Sequence, residues 1–199
     1  ATLYVTLEPC STWGKTPPCV DAIIGSRVSR VIIGSLDPNP ENHLKGVHQL
    51  KQAGIKVRIG VLAEAVEEQN QAFFKRMRTG LPFVTLKMAQ SLDGKIATWR
   101  GESRWISSEA SRRFVHKLRR EADAVLIGKN TALRDNPRLQ AKAGEEKPWR
   151  VVLDPDLVLS RNARIFEGPS LTFVVVSEKR LNQLSGLSNR TRRIMIPVP

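Results

Sequence analysis

The sequence predicts an α/β protein of two units, each built on parallel β-sheet. Three observations carry that expectation. Short apolar, β-branched runs alternate with amphipathic helical stretches along the whole 199-residue chain, the pattern that gives layered α/β architecture with parallel pairing. The alternation is interrupted at Thr79-Gly80-Leu81-Pro82, where Gly ends a helix and Pro forbids its continuation, so the expected domains are residues 1–80 and 81–199. Composition agrees: 41% hydrophobic and 26% charged residues describe an ordinary globular chain, long enough for two small cores.

In the first half, Leu3, Tyr4 and Val5 open as a strand. After Cys19 a helix is expected to about Arg27, followed by a buried strand, Val28 to Gly34, and by Ser35-Leu36-Asp37-Pro38-Asn39-Pro40 as an irregular loop. Val47, Leu50 and Ala53 line a short helix closed by Gly54, and Ile55 to Ile59 alternates as a strand. Leu62 to Arg78 reads as one helix with Val66, Phe73, Phe74 and Met77 on a core-facing side.

The most informative stretch is Thr6-Leu7-Glu8-Pro9-Cys10-Ser11-Thr12-Trp13-Gly14-Lys15-Thr16-Pro17-Pro18-Cys19, which places two thiols on a strand-to-helix turn. Two buried, inert cysteines are one reading; two thiolate ligands for a metal are the other. A helix beginning at Cys19 aims unpaired N–H groups at that sulfur and is expected to lower its pKa. The stretch resembles the Pro-Cys-Ser-His-x-Gly-Arg/Lys-Thr-Pro-Pro-Cys signature of the bifunctional deaminase/reductase of riboflavin biosynthesis, with Thr12 at the usual His position. The resemblance implies a cytidine-deaminase-like three-layer domain, here its C-terminal part, with Cys10 and Cys19 on Zn2+. It also implies Lys15 for the substrate phosphate and Asp37 and Asn39 for the ribose phosphate or pyrimidine. Turn chemistry is the competing account of Asp37 and Asn39, since both residue types favour Asx-turns beside proline.

The second half is expected to open with a strand, Phe83 to Ala89. Next come Ala89-Gln90-Ser91-Leu92-Asp93-Gly94-Lys95 and Gly101-Glu102-Ser103-Arg104-Trp105-Ile106-Ser107. These are similar to the Ser-Leu-Asp-Gly-Lys/Arg and Gly-Glu-Ser-x-Trp-Ile-Thr/Ser motifs of the same family's reductase domain, which is dihydrofolate-reductase-like and uses NADPH. Ser107 or Ser108 is expected to cap a helix with Phe114, Val115 and Leu118 on its buried side. Ala124 to Gly128 follows as a strand, then a glycine turn into a helix around Ala132, a strand–turn–helix suited to anions. Thr131 to Leu139 resembles the reductase run Gly-Thr-x-x-x-Asp-Asp/Asn-Pro-x-Leu. The resemblance implies that Ala89, Trp105, Thr131 and Asp135 contact NADPH. It places Lys87, Ser103, Arg119, Leu139 and Lys142 at the substrate; Lys142 stands where Arg is common and lacks the bidentate phosphate contact. Trp149 to Asp154, Leu171 to Val176 and Arg193 to Val198 are further expected strands, and Leu181, Leu184 and Leu187 form a helical stripe.

The net charge of +13 is uneven: residues 1–80 carry 10 basic and 7 acidic side chains (+3), and residues 81–199 carry 22 and 12 (+10). A phosphorylated substrate with a phosphorylated dinucleotide accounts for a basic second half, as does a solvated basic surface. Nucleic acid is the third account and is disfavoured, because the excess lies in the half without the cysteines and no basic stripe interleaves with aromatics. No apolar run approaches the roughly 18 residues that span a membrane. Both cysteines lie in one motif, which favours a reducing cytoplasm.

The expected partner is therefore a small phosphorylated pyrimidine, with neither nucleic acid nor membrane, and the resemblance leaves room for a homo-oligomer through the reductase domain. His43, His48 and His116 are the only histidines, and none is followed by Glu two positions on. The family's His-x-Glu, with its catalytic Glu, is expected upstream of residue 1, and a glycine-rich NADPH element after residue 199. On this reading the reductase domain is incomplete at its C-terminus and no acid or base is assigned. The alternatives are a reductase beside a non-functional deaminase remnant, and a nucleic-acid-acting deaminase or basic binding module.

Overall fold

A strand buried on both faces needs neighbours on both edges, and β2 (Arg30–Ser35), buried from Val31 to Ser35, has them. The computed structural model describes residues 1–141 and 147–180, and the backbone of 193–198. It divides into two compact units, Ala1–Lys87 and Met88–Pro199, parting later in the chain than Gly80. In the first, β2 lies between β1 (Thr2–Leu7) and β3 (Lys56–Ile59), all parallel, with Val5 facing Ile33 and Ile33 facing Ile59. Parallel neighbours cannot be joined by a hairpin, and the crossovers are α1 (Cys19–Gly25) and α2 (Lys45–Gln52). Val20 of α1 and Val47 and Leu50 of α2 close over Val31 and Ile33 to form the core. Gly54, with φ of 79°, follows α2 as its terminating glycine.

The expected single helix from Leu62 to Arg78 is instead two, α3 (Ala63–Gln69) and α4 (Gln71–Thr79), broken at Asn70. The Asn70 side-chain amide donates to the Val66 carbonyl at 2.8 Å, the local competition with the helix ladder that Asn favours. Arg78 bridges the break, pairing with Glu67 at 3.0 Å and covering the Phe74 ring at 4.7 Å. Of the expected core stripe, Val66 and Phe74 are buried, Phe73 is half-buried and Met77 is exposed.

The second unit holds a four-stranded parallel sheet in the order β4 (Ala124–Gly128), β5 (Trp149–Leu153), β6 (Thr172–Ser177), β7 (Arg193–Val198). Its core gathers Val152, Val174 and Val176 with Ala132, Leu139 and Ile165. Ser108 caps α5 (Glu109–Glu121), its hydroxyl accepting from the Ser111 N–H at 3.2 Å. No residue of α5 is fully buried: of its expected buried side, Val115 and Leu118 are half-buried and Phe114 is 58% exposed. The expected strand from Phe83 to Ala89 has no regular secondary structure, and Val84 and Leu86 are exposed. Alternation marks a propensity; without a ladder partner the run does not become a strand. The Leu181, Leu184 and Leu187 stripe lies outside the described residues.

Two substitutions test this packing. A Cβ on Gly34 would stand 2.6 Å from both the Thr6 carbonyl oxygen and Val66 Cγ2, so Gly34→Ala should cost about 1–3 kcal/mol in urea unfolding. Arg150, 1% exposed, donates to the carbonyls of Arg138, Glu167 and Ser170. Arg150→Ala strands those acceptors and should lower the stability of the second unit by about 3 kcal/mol.

Candidate functional site

The first unit gathers its polar chemistry at the C-terminal edge of its sheet, where β1 runs into Glu8-Pro9-Cys10 and β2 into the Asp37 loop. The N–H of Cys19, the first residue of α1, donates to Cys10 Sγ at 3.2 Å, and Val20 N–H to the Cys10 carbonyl at 3.2 Å. The helix start thus serves the Cys10 sulfur rather than that of Cys19. Contrary to expectation, the Cys19 thiol is held above its ordinary pKa, first by its hydrogen bond with the Cys10 thiol and then by burial. Lys15 is exposed on the turn between the thiols.

Two residues without an assigned role hold this edge together. Glu8 is buried, and its carboxylate accepts the N–H groups of Asp37 (3.2 Å), Leu44 (3.1 Å) and Val47 (3.1 Å). Asn42 is buried too, and its Oδ1 accepts the Ser11 N–H (3.2 Å), the Ser11 hydroxyl (3.4 Å) and the Thr12 hydroxyl (3.0 Å). A carboxylate at the end of an apolar strand was the visible signal for Glu8; nothing in the sequence marked Asn42.

Asp37 and Asn39 are engaged in their own loop. Asp37 Oδ1 accepts the Asn39 N–H at 2.9 Å, and Asn39 Oδ1 the Glu41 N–H at 3.0 Å, the Asx-turn chemistry that competed with ligand binding. The His43 Nδ1 meets the Asp37 carbonyl at 2.9 Å. Asp37 and His43 also line a cavity of about 740 Å³ with Pro38, Glu67, Phe74 and Arg78.

Two thiols on one turn fit two positions of a tetrahedral zinc set, whereas catalytic zinc takes three protein ligands. Among the described residues no group of three or more His, Cys, Asp or Glu side chains could hold a metal.

In the second unit, segments far apart in sequence meet. A Cβ on Gly101 would stand 2.3 Å from the Arg134 guanidinium, and Arg104 donates to the Asp135 carbonyl at 3.5 Å. Arg134 and Asp135 end α6 (Lys129–Asp135), on which Thr131 is exposed. At its start Lys129 pairs with Asp156, which occupies the cation nearest the expected anion turn. Trp105 is 70% exposed, with the Arg112 guanidinium 4.1 Å and the Arg104 guanidinium 5.9 Å from its ring centroid, within cation–π range. Arg119 is half-buried, and that burial lowers its pKa from the ordinary value. Ala89 and Ser103 are half-buried and Lys87 is exposed. Leu139, expected at the substrate, is a buried core residue of this unit. Lys142 lies outside the described residues.

Residues 82–196 match the family model described as the RibD C-terminal domain. The chain is 44% identical over 198 residues to the riboflavin biosynthesis protein RibD of Aquifex aeolicus, covering 98% of this chain and 56% of that protein. Against the RibD of Escherichia coli it is 41% identical over 187 residues, with 87% and 51% covered. Among solved structures it is similar to a diaminohydroxyphosphoribosylaminopyrimidine deaminase/5-amino-6-(5-phosphoribosylamino)uracil reductase of Thermotoga maritima, at a TM-score of 0.82 and 38% identity over 99% of this chain and 61% of that one. RibD of Acinetobacter baumannii gives a TM-score of 0.85 at 37% identity, covering 100% of this chain and 56% of that one. The chain spans about half the length of the curated relatives it matches. With more than half of its residues inside that family's model, the chain belongs to the RibD family.

Proposed function

We propose that the chain forms part of a bifunctional riboflavin-biosynthesis enzyme. Residues 1–80 belong to a cytidine-deaminase-like domain and residues 81–199 to a dihydrofolate-reductase-like domain. The first removes an amino group hydrolytically from a diaminopyrimidine ribosyl phosphate; the second reduces the ribosyl group to a ribityl chain with NADPH. The name of the Thermotoga maritima relative supports both activities, and that of the Aquifex aeolicus relative supports riboflavin biosynthesis. The structural observation that carries the reductase reading is the approach of Gly101 and Arg104 to Arg134 and Asp135, which draws two resemblance-implied cofactor segments together.

In the reductase the hydride chemistry is supplied by NADPH. The chain's own task is to bind and orient. Trp105 offers a flat face backed by Arg112, Thr131 an exposed hydroxyl, and Asp135 a helix end beside Arg104. Arg119, half-buried on α5, offers a cation to the phosphorylated substrate, with the half-buried Ser103 as a further polar contact. A guanidinium so placed is well suited to phosphate.

In the deaminase, Cys10 and Cys19 would hold zinc together with a third donor that the described residues do not supply. The metal would supply Lewis acidity for hydrolysis. Lys15, exposed on the turn between the thiols, would meet the substrate phosphate.

Two kinetic outcomes test these assignments in the full chain. Asp135→Ala should raise the KM for NADPH about tenfold while leaving the KM for the pyrimidine within about twofold, a loss of ~1.4 kcal/mol in cofactor binding; no NADPH oxidation by the unsubstituted protein with the deaminated pyrimidine would overturn the reductase reading. Lys15→Ala should raise the deaminase KM about tenfold at nearly constant kcat, the signature of a lost phosphate contact made equally in the ground and transition states. An unchanged KM would remove Lys15 from the site.

A further inference from the structure

We propose that Glu8 and Asn42 are positioning residues of the candidate deaminase site, forming a two-way clasp that fixes the Cys10–Thr12 turn against the Asp37–Val47 segment. The two halves run in opposite directions. Glu8, two residues before Cys10, reaches across to the N–H groups of Asp37, Leu44 and Val47. Asn42, inside that segment, reaches back to Ser11 and to the Thr12 hydroxyl. Cys10 lies between the two anchored points, so neither its strand side nor its turn side can shift alone.

Each half answers a physical need that its neighbours leave open. Leu44 is the N-cap of α2 and has a left-handed backbone, φ 63°, with no side-chain cap of its own. The first N–H groups of a helix need acceptors from outside the ladder. The Glu8 carboxylate supplies them at Leu44 and Val47, and its negative charge suits the positive end of the helix. The fit is close: a Cβ on Gly46 would come within 2.1 Å of the Pro9 carbonyl oxygen and 3.4 Å of Glu8 Cγ. A buried carboxylate loses water as a partner and needs several donors; it has three.

On the other side, Asn42 Oδ1 takes one backbone and two hydroxyl donors from Ser11 and Thr12. Thr12 stands at the position where the family signature carries His. Its short side chain lies inward on Asn42, which makes Asn42 the residue that sets the course of the turn as it leaves Cys10.

As a statement about a deaminase site the inference rests on the function proposed above, but its test does not require turnover. In the full chain, after removal of metal by a chelator, alkylation of Cys10 and Cys19 by iodoacetamide would be followed separately by mass spectrometry, with urea unfolding run in parallel. Asn42→Leu keeps the bulk and removes the acceptor. It should raise the Cys10 rate about tenfold, and the rate at the already exposed Cys19 less. Asn42→Asp keeps an acceptor oxygen and should stay within about twofold of the unsubstituted protein. Glu8→Gln, which sets an N–H against N–H donors, should raise the Cys10 rate as Asn42→Leu does. The double variant should be no faster than either alone, since opening one half frees the turn.

An unchanged Cys10 rate in Asn42→Leu would overturn the clasp. So would equal acceleration of both thiols, the mark of general loosening, or an Asn42→Asp variant as fast as Asn42→Leu. Absence of deaminase turnover alongside the expected alkylation pattern would sink the proposed function and leave the clasp standing.

Discussion

A strand can be joined to a parallel neighbour only by a crossover that carries the chain back to the sheet's starting edge, and every pairing in both sheets is parallel. That constraint places the segments leaving β1 and β2 at one edge of the first sheet. The Cys10 turn and the Asp37 loop become neighbours although some thirty residues separate Thr12 from Asn42. Ligands of open α/β sheets bind outside the carboxyl ends of strands for the same reason. Once the edge is formed, it must also satisfy the backbone groups that the sheet no longer pairs.

Both units meet that demand with a buried carboxylate, and the second adds a buried guanidinium. In the first, a buried carboxylate, Glu8, accepts backbone N–H groups from the segment after β2 and from the start of α2. In the second, a buried guanidinium, Arg150 on β5, donates to backbone carbonyls of Arg138, Glu167 and Ser170. Asp154, just past the same strand, accepts the N–H groups of Val158 and Leu159. A fixed charge is worth burying where the chain turns irregular, because one side chain answers several backbone groups that no ladder reaches. Removing it strands all of them together.

Legibility in the sequence followed the range of the interactions involved. Strands whose apolar pattern is dictated by burial, such as Val31 to Gly34 and Thr172 to Val176, could be read from adjacent letters, and so could the Gly54 helix stop. The run from Phe83 to Ala89 could not, because a strand exists only with a partner. The break at Asn70 and the partly exposed face of α5 escaped for a related reason: helical periodicity reports a face without saying what covers it. The thiol pair was plain, but the identity of the sulfur facing the start of α1 depends on the path of the intervening turn. Glu8 was visible as a letter and opaque as a role, its donors lying 29 to 39 positions away.

The Thr12 position shows how a local departure from a family pattern is absorbed. The Thr12 hydroxyl donates inward to Asn42 at 3.0 Å. The polarity of this position lies on the inside of the turn and secures the backbone beside Cys10. Any recognition of a phosphate by this turn must then come from another side chain, and Lys15 is the exposed cation between the two thiols. An ammonium on a flexible stem meets an anion as a point charge without fixing its orientation. In the deaminase half as proposed, orientation therefore falls to the clasped backbone on either side, and charge to Lys15.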